Sequence, residues 1–138
     1  MRKRTHSREC ALQILYSVDI RKAAPLVEIS TDYWQKNSED DTVKQFAMLL
    51  VEGTCKNLKN IDKLITEYTD NWRIERMAVI DRNIIRMATF ELIYLEQIPP
   101  KVAINEAVDL AKRFGDGESG RFVNGVLDKI NKQERKNK

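Results

Sequence analysis

Between Lys101 and Ile130 apolar residues recur three and four positions apart, with one glycine-rich string between two such runs. In the first run Ala103, Ala107, Leu110, Ala111 and Phe114 share a helical face that Ile104 and Val108 widen, leaving Asn105, Glu106, Asp109, Lys112 and Arg113 on the other side. In the second, Phe122, Val126 and Ile130 form a line with Val123 and Leu127 beside it, and Asn124, Asp128 and Lys129 stay polar. This spacing predicts two amphipathic helices, each buried along one face. The string GDGESG joins them, with Gly115 as the C-terminal cap of the first and Ser119 as an N-cap of the second.

The same reading extends back along the chain. Residues Thr5 to Ile20 fit a helix with the apolar line Ala11, Ile14, Leu15 and Val18 and with Leu12 at its edge. Traced backwards, that line reaches Arg8 and Arg4, so the helix is expected to leave the core there and meet solvent or an anion. VEISTDYWQKN after Pro25 predicts a second helix anchored by Val27, Ile29, Tyr33 and Trp34. The acidic group Glu39, Asp40 and Asp41 suits a helix N-terminus. The helix it opens carries Phe46, Ala47, Leu49, Leu50 and Val51 and runs through Gly53 towards Leu58. Ile61, Leu64, Ile65 and Tyr68 mark a short fourth helix, and Trp72 is expected to close a loop against the core.

From Arg76 to Leu95 the chain is apolar around most of a helical circumference, which makes this the expected central helix. Ile84, Ala88, Leu92 and Leu95 share one face, and Glu91 falls in its middle. A carboxylate there must be hydrogen-bonded or protonated, and it is read as a structural anchor between helices. Pro99 and Pro100 end that helix, and Pro100 fits the first turn of the next. No segment alternates with period two, so the fold class is all-α with about seven helices.

Composition narrows the function without naming it. The 138 residues suit a single domain, residues 1–138, and Lys plus Arg exceed Asp plus Glu by only three, 24 against 21. The placement of charge says more. Arg2, Lys3, Arg4 and Arg8 crowd the start, and Lys132, Arg135, Lys136 and Lys138 the end, so residues 1–4 and 132–138 are expected to be flexible basic ends. No apolar run approaches the ~20 residues that span a bilayer, and no secretory leader is apparent, so a cytoplasmic protein without membrane contact is expected. Cys10 and Cys55 stand apart in sequence, with His6 the sole histidine, and they read as reduced core or boundary residues rather than metal ligands.

Candidate chemistry is sparse. GDGESG satisfies GxGxxG letter for letter, but a helix precedes it where a dinucleotide fingerprint needs a strand, and Asp116 and Glu118 would oppose a pyrophosphate. No cofactor is expected. The helix beginning near Ser119, with Arg121 in its first turn, remains able to receive a backbone phosphate. One histidine without a visible partner supports no nucleophilic catalysis, so the chain is not expected to be an enzyme. Basic residues with aromatic company suit single-stranded RNA, where cations meet phosphates and rings meet unstacked bases. Tyr16 and Phe122 are the rings at hand. Tyr16 fits helix-edge packing equally well, and the pattern favours core for Phe122.

The strings VAINEAVDLAKRFG and FVNGVLDKI, preceded by DRNIIRMATFEL and by RECALQILYSVDI, resemble the bacterial transcription antitermination factors of the NusB family, in order from about Arg2 to about Ile130. The resemblance implies two small packed helical bundles that act without chemistry of their own. It implies binding of boxA-type single-stranded RNA together with NusE, the small ribosomal subunit protein, and delivery to an RNA polymerase antitermination complex on ribosomal RNA operons. The family's RNA face uses the start of the first helix and the connection into the last. Carried over, these positions are Arg2, Lys3, Arg4, Arg8, Gln13 and Tyr16, and Glu118, Ser119, Arg121 and Phe122. In RKRTHSREC, Thr5, His6 and Ser7 stand where the family more often has arginine or alanine. Two other readings are a helical protein-interaction module without RNA affinity, and a fragment of a ribosomal RNA methyltransferase with a NusB-like front domain.

Overall fold

The computed structural model describes residues 2–70 and 72–135. Its elements are α1 (Lys3–Ile20), α2 (Leu26–Lys36), α3 (Asp41–Lys56), α4 (Leu58–Tyr68), a 3-10 turn (Ile74–Arg76), α5 (Val79–Tyr94), α6 (Pro100–Phe114) and α7 (Ser119–Glu134). Among the described residues there are seven α-helices and no strand, as the hydrophobic periodicity predicts. The chain divides into two compact units, Met1–Glu52 and Gly53–Lys138.

In the first unit α1 packs on α2, and Ala11, Leu12, Ile14, Leu15, Ile29, Val43, Phe46, Ala47 and Leu50 are buried. Leu12, expected at an edge, is only 3% exposed. The buried Ser7 hydroxyl donates to the carbonyl of Val43 at 2.8 Å, tying the start of α1 to the first turn of α3. That turn is capped by Asp40, whose Oδ1 accepts the Val43 N–H at 2.9 Å. Two expected anchors face water instead: Val27 is 75% and Leu49 44% exposed. Each lies just outside the buried stripe of its helix, where one unmatched apolar residue is ordinary surface.

In the second unit α5 is the central helix, contacting α4, α6 and α7. Ile84, Ala88, Leu92 and Leu95 are buried as a set, and Glu91 among them is 1% exposed and not without a partner. Ala103, Ala107, Leu110 and Ala111 of α6, and Val123, Val126, Leu127 and Ile130 of α7, supply the matching faces. Phe114 departs from that pattern at 41% exposed, because it is the last residue of α6 and its face has run out of partners. Gly53, in the last turns of α3, lets the Phe90 ring of α5 close on the helix backbone: a Cβ there would lie 2.0 Å from Phe90 Cζ. Arg86 of α5 grips Asp62 of α4 with two parallel bonds of 2.8 and 3.0 Å.

The basic C-terminal stretch, expected to be flexible from residue 132, is helical as far as Glu134. Lys132 pairs with Asp128 at 3.0 Å, Glu134 accepts a hydrogen bond from the Tyr68 phenol, and Arg135 Nη1 donates to the carbonyl of Leu92 at 3.0 Å. Lys136 and Lys138 lie outside the described residues.

Candidate nucleic-acid interface

The first group of candidate residues stands on α1. Arg2 is its N-cap, with Lys3 and Arg4 following, and all three are exposed. The first turn of the helix holds no acid. The positive end of a helix dipole disfavours cations, so helix stability does not account for three of them there; an anion arriving from outside would. Lys3 lies 3.4 Å from Asp40, and Arg4 lies over the Phe46 ring, 4.4 Å from its centroid. Farther along, Gln13 is exposed and Tyr16 is 39% exposed, three residues apart on the wet side of the helix.

Arg8 corrects the expectation drawn from the sequence. It was expected to leave the core for solvent or an anion, yet it is only 2% exposed, with its guanidinium 5.4 Å from the centroid of the same Phe46 ring. The ring face is one of the contacts that hold the guanidinium inside. The core line of α1 thus carries an arginine without opening to water.

The second group surrounds the connection from α6 to α7. Gly115 is the C-cap of α6 but has extended backbone, φ −95° and ψ −165°, rather than a left-handed cap. Its missing Cβ matters for another reason, since that atom would lie 2.3 Å from Ser119 Oγ. Ser119 is not the N-cap expected of it. It is the first residue of α7, 1% exposed, and its Oγ accepts the Asp116 N–H at 3.0 Å. Asp116 in turn occupies the helix end: its Oδ1 accepts the Glu118 N–H at 2.8 Å, and its carbonyl accepts the Ser119 N–H at 3.1 Å. One N–H at the entry to α7, that of Glu118, is therefore already taken by a carboxylate of the chain itself.

What the connection leaves for a ligand is its cation and its rings. Arg121 projects freely, its side chain 88% exposed, with Glu118 at 3.9 Å as a loose neighbour. Arg121 borders a shallow cleft of about 440 Å³ that includes Lys112, Asp116, Gly117 and Asn124 in its wall. Phe122, expected as core, is only half-buried and meets the edge of Trp72, the centroids 5.4 Å apart. Trp72 does not seal into the core as expected but stands 49% exposed beside that phenylalanine. The turn after α4 places it: Asp70 takes a left-handed φ of 54°, and the Trp72 N–H donates to the Thr69 carbonyl at 3.0 Å. Sequence reading missed Trp72 as a site residue because nothing in its neighbourhood pairs it with Phe122, 50 positions away.

A further grouping arises on α1, where His6 and Cys10 come together with Glu39 as a trio of metal-capable donors. The remaining comparison is with known proteins. Residues 5–132 match the profile of the NusB family. The chain belongs to the NusB family. A curated relative, the transcription antitermination protein NusB of Thermodesulfovibrio yellowstonii, is 41% identical over 141 residues, covering 96% of this chain and 93% of that one. NusB of T. maritima superposes with a TM-score of 0.87 at 37% identity, over 94% of this chain and 91% of its own. A second solved structure, of the antitermination factors NusB and NusE in complex with dsRNA, has a TM-score of 0.86 at 32% identity, over 96% of this chain and 98% of that chain. The NusB fold therefore spans nearly all of this chain.

Proposed function

We propose that this chain is a transcription antitermination factor that binds boxA-type single-stranded RNA together with NusE and joins an RNA polymerase antitermination complex, without catalysing a reaction. The two units would serve together as one RNA-binding domain. The observation that carries the reading is the run of exposed Arg2, Lys3 and Arg4 at the positive end of α1, where the helix dipole disfavours cations and an external anion favours them. Exposed Arg121 beside the Phe122 and Trp72 rings supports it, a cation and stacking surfaces together. So does the relative solved with NusE and RNA. In this reading Arg2, Lys3, Arg4 and Arg121 meet phosphates, Gln13 and Glu118 border the RNA, and Tyr16 and Phe122 offer rings. Arg8 and Ser119, both buried, hold these residues in place.

Fluorescence anisotropy with a labelled boxA-like RNA, with and without NusE, tests this. Binding is expected to tighten with NusE, and log affinity to fall by roughly 0.7 per log unit of salt for each phosphate neutralised. Arg4→Ala and Arg121→Ala should each weaken binding and flatten that slope. Tyr16→Ala should weaken it by about 1–3 kcal/mol with the slope retained. Glu118→Asn should tighten it at low salt. Equal affinity for boxA-like and scrambled RNA, unchanged by NusE, would refute the proposal and favour a protein-interaction module.

A further inference from the structure

His6 and Cys10 lie one turn apart on the same face of α1, and Glu39 approaches them from the segment between α2 and α3. A His ring nitrogen, the Cys10 sulfur and a Glu39 oxygen all lie within 4.8 Å of one another. His6 Nε2 and Glu39 Oε2 are already 2.6 Å apart, with side chains 36% and 23% exposed, while Cys10 is 1% exposed behind them. We infer that His6, Cys10 and Glu39 form a binding site for one divalent transition-metal ion, Zn(II) by its donor set.

The chemistry of the three donors supports that ion. An imidazole nitrogen, a thiolate and a carboxylate are the borderline-soft mixture that suits Zn(II), and together they bring the two negative charges that balance it. Zinc–ligand bonds of about 2.0–2.3 Å at tetrahedral angles put donor atoms roughly 3.3–3.6 Å apart. His6 and Glu39, now 2.6 Å apart, must part by about 0.7–1 Å, and Cys10 Sγ, within 4.8 Å of both, closes in on the ion by about 1 Å at most. Both are half open to water, so they can turn, and the same opening gives the ion a way in and leaves a fourth position for a water molecule.

The surroundings of Cys10 act on its thiolate in opposite senses. Tyr33 of α2 hydrogen-bonds to Cys10 in the sense that favours the thiolate. Burial, first, and the charges of Glu39 and Glu9, next, push the Cys10 thiol up, so without a metal it keeps its proton. On binding, the Sγ–H bond breaks and the proton passes to solvent as the sulfur–metal bond forms; His6 and Glu39 contribute lone pairs, and nothing is oxidised or reduced. The occupied site would pin the start of α1, with its Arg2, Lys3 and Arg4, to the segment that leads into α3.

The test uses the full chain without an affinity tag, stripped with a chelator and titrated with Zn(II) and with Co(II). One equivalent should bind, with proton release and a rise in melting temperature that grows with free zinc. The cobalt form should show a thiolate-to-metal charge-transfer band. Cys10→Ser should abolish that band, and His6→Gln and Glu39→Gln should each weaken binding at least tenfold, while Cys55→Ser leaves it intact. Helical circular dichroism of each variant separates lost binding from lost folding, and His6→Gln, being half exposed, carries the test if Cys10→Ser fails to fold. Binding that survives His6→Gln and Glu39→Gln, binding lost with Cys55→Ser, or no stoichiometric binding would each overturn the assignment.

Discussion

Replacing Gly53 by alanine should destabilise the protein, although alanine is the better helix former. At an open helical position Gly→Ala gains about 1 kcal/mol from the reduced freedom of the unfolded chain and better helix propensity. Gly125 of α7 is such a position: it is exposed, and a Cβ there meets nothing within 4 Å. At Gly53 the same methyl would lie 2.0, 2.3 and 2.6 Å from three carbons of the Phe90 ring. Carbon atoms in contact prefer about 3.5–4.0 Å, so helix and ring must separate by more than an ångström. Phe90 is 5% exposed and has little room to yield. Overpacking of this kind costs about 1–3 kcal/mol, occasionally more, and so large an overlap belongs at the upper end. After the propensity gain, Gly53→Ala should lose about 2 kcal/mol, while Gly125→Ala gains up to about 1.

Urea unfolding at equal m-value measures both, and the two variants should move the midpoint in opposite directions. A second substitution isolates the cause. Phe90→Leu should cost clearly less in the Gly53→Ala background than in the parent, with a coupling energy of about 1 kcal/mol or more. If Gly53→Ala proved as stable as the parent, or if the two substitutions added independently, the closeness of Phe90 to α3 would not be what requires glycine there.

Arg8→Ala should lower stability by about 2 kcal/mol or more, because it empties a buried place against Phe46, whereas Arg4→Ala on the same ring should lower it little; thermal melts rank the two. Asp40 caps α3, and the N–H of Val43, foremost, holds its carboxyl below the ordinary 3.8. Its contribution is therefore present above that value and lost as the pH falls through the depressed one. Asp40→Ala should lower the melting temperature at pH 7, with the gap to the parent closing below about pH 3.8. Glu91→Leu should alter stability while leaving RNA affinity per folded molecule nearly unchanged; a normally folded variant that no longer binds RNA or NusE would make Glu91 functional.

The fold was legible in the sequence where one helical face is unambiguous. The buried sets of α5, α6 and α7 follow their three-and-four spacing almost residue for residue, and Pro100 marks its boundary at the first turn of α6. Legibility failed at the ends of faces, where periodicity continues after the partner has stopped: Phe114, Val27 and Leu49 are apolar on schedule and still meet water. It failed again for Arg8, because periodicity assigns a charge to solvent and cannot know that an aromatic ring 38 residues later will receive it. The candidate site was legible as charge and not as geometry. The exposed Arg2, Lys3, Arg4 and Arg121 can be read from composition at the chain's start and after the glycines. The pairing of Trp72 with Phe122, the carboxylate at the start of α7 and the meeting of His6, Cys10 and Glu39 all depend on residues brought together from separate helices or turns. Cys10 and His6 are four residues apart in the sequence, and the carboxylate that joins them is a glutamate 29 residues beyond Cys10.

The connection between α6 and α7 bears on how this chain can change over generations. Its three glycines spell a dinucleotide fingerprint, yet each is held by a different constraint or by none: Gly115 by Ser119 Oγ, Gly120 by the Lys112 side chain, and Gly117 by nothing within 4 Å. Selection therefore acts on three separate residues and not on a motif. Gly117 is free to drift first. Gly120 can be exchanged once a flexible lysine gives way, since its Cβ would lie 3.1 Å from Lys112 Cγ. Gly115 is the most constrained, because a Cβ there would meet both Ser119 Oγ at 2.3 Å and the backbone oxygen of Ala111 at 2.8 Å. A lineage could break the fingerprint in a single step at Gly117 and keep the same turn between the same two helices.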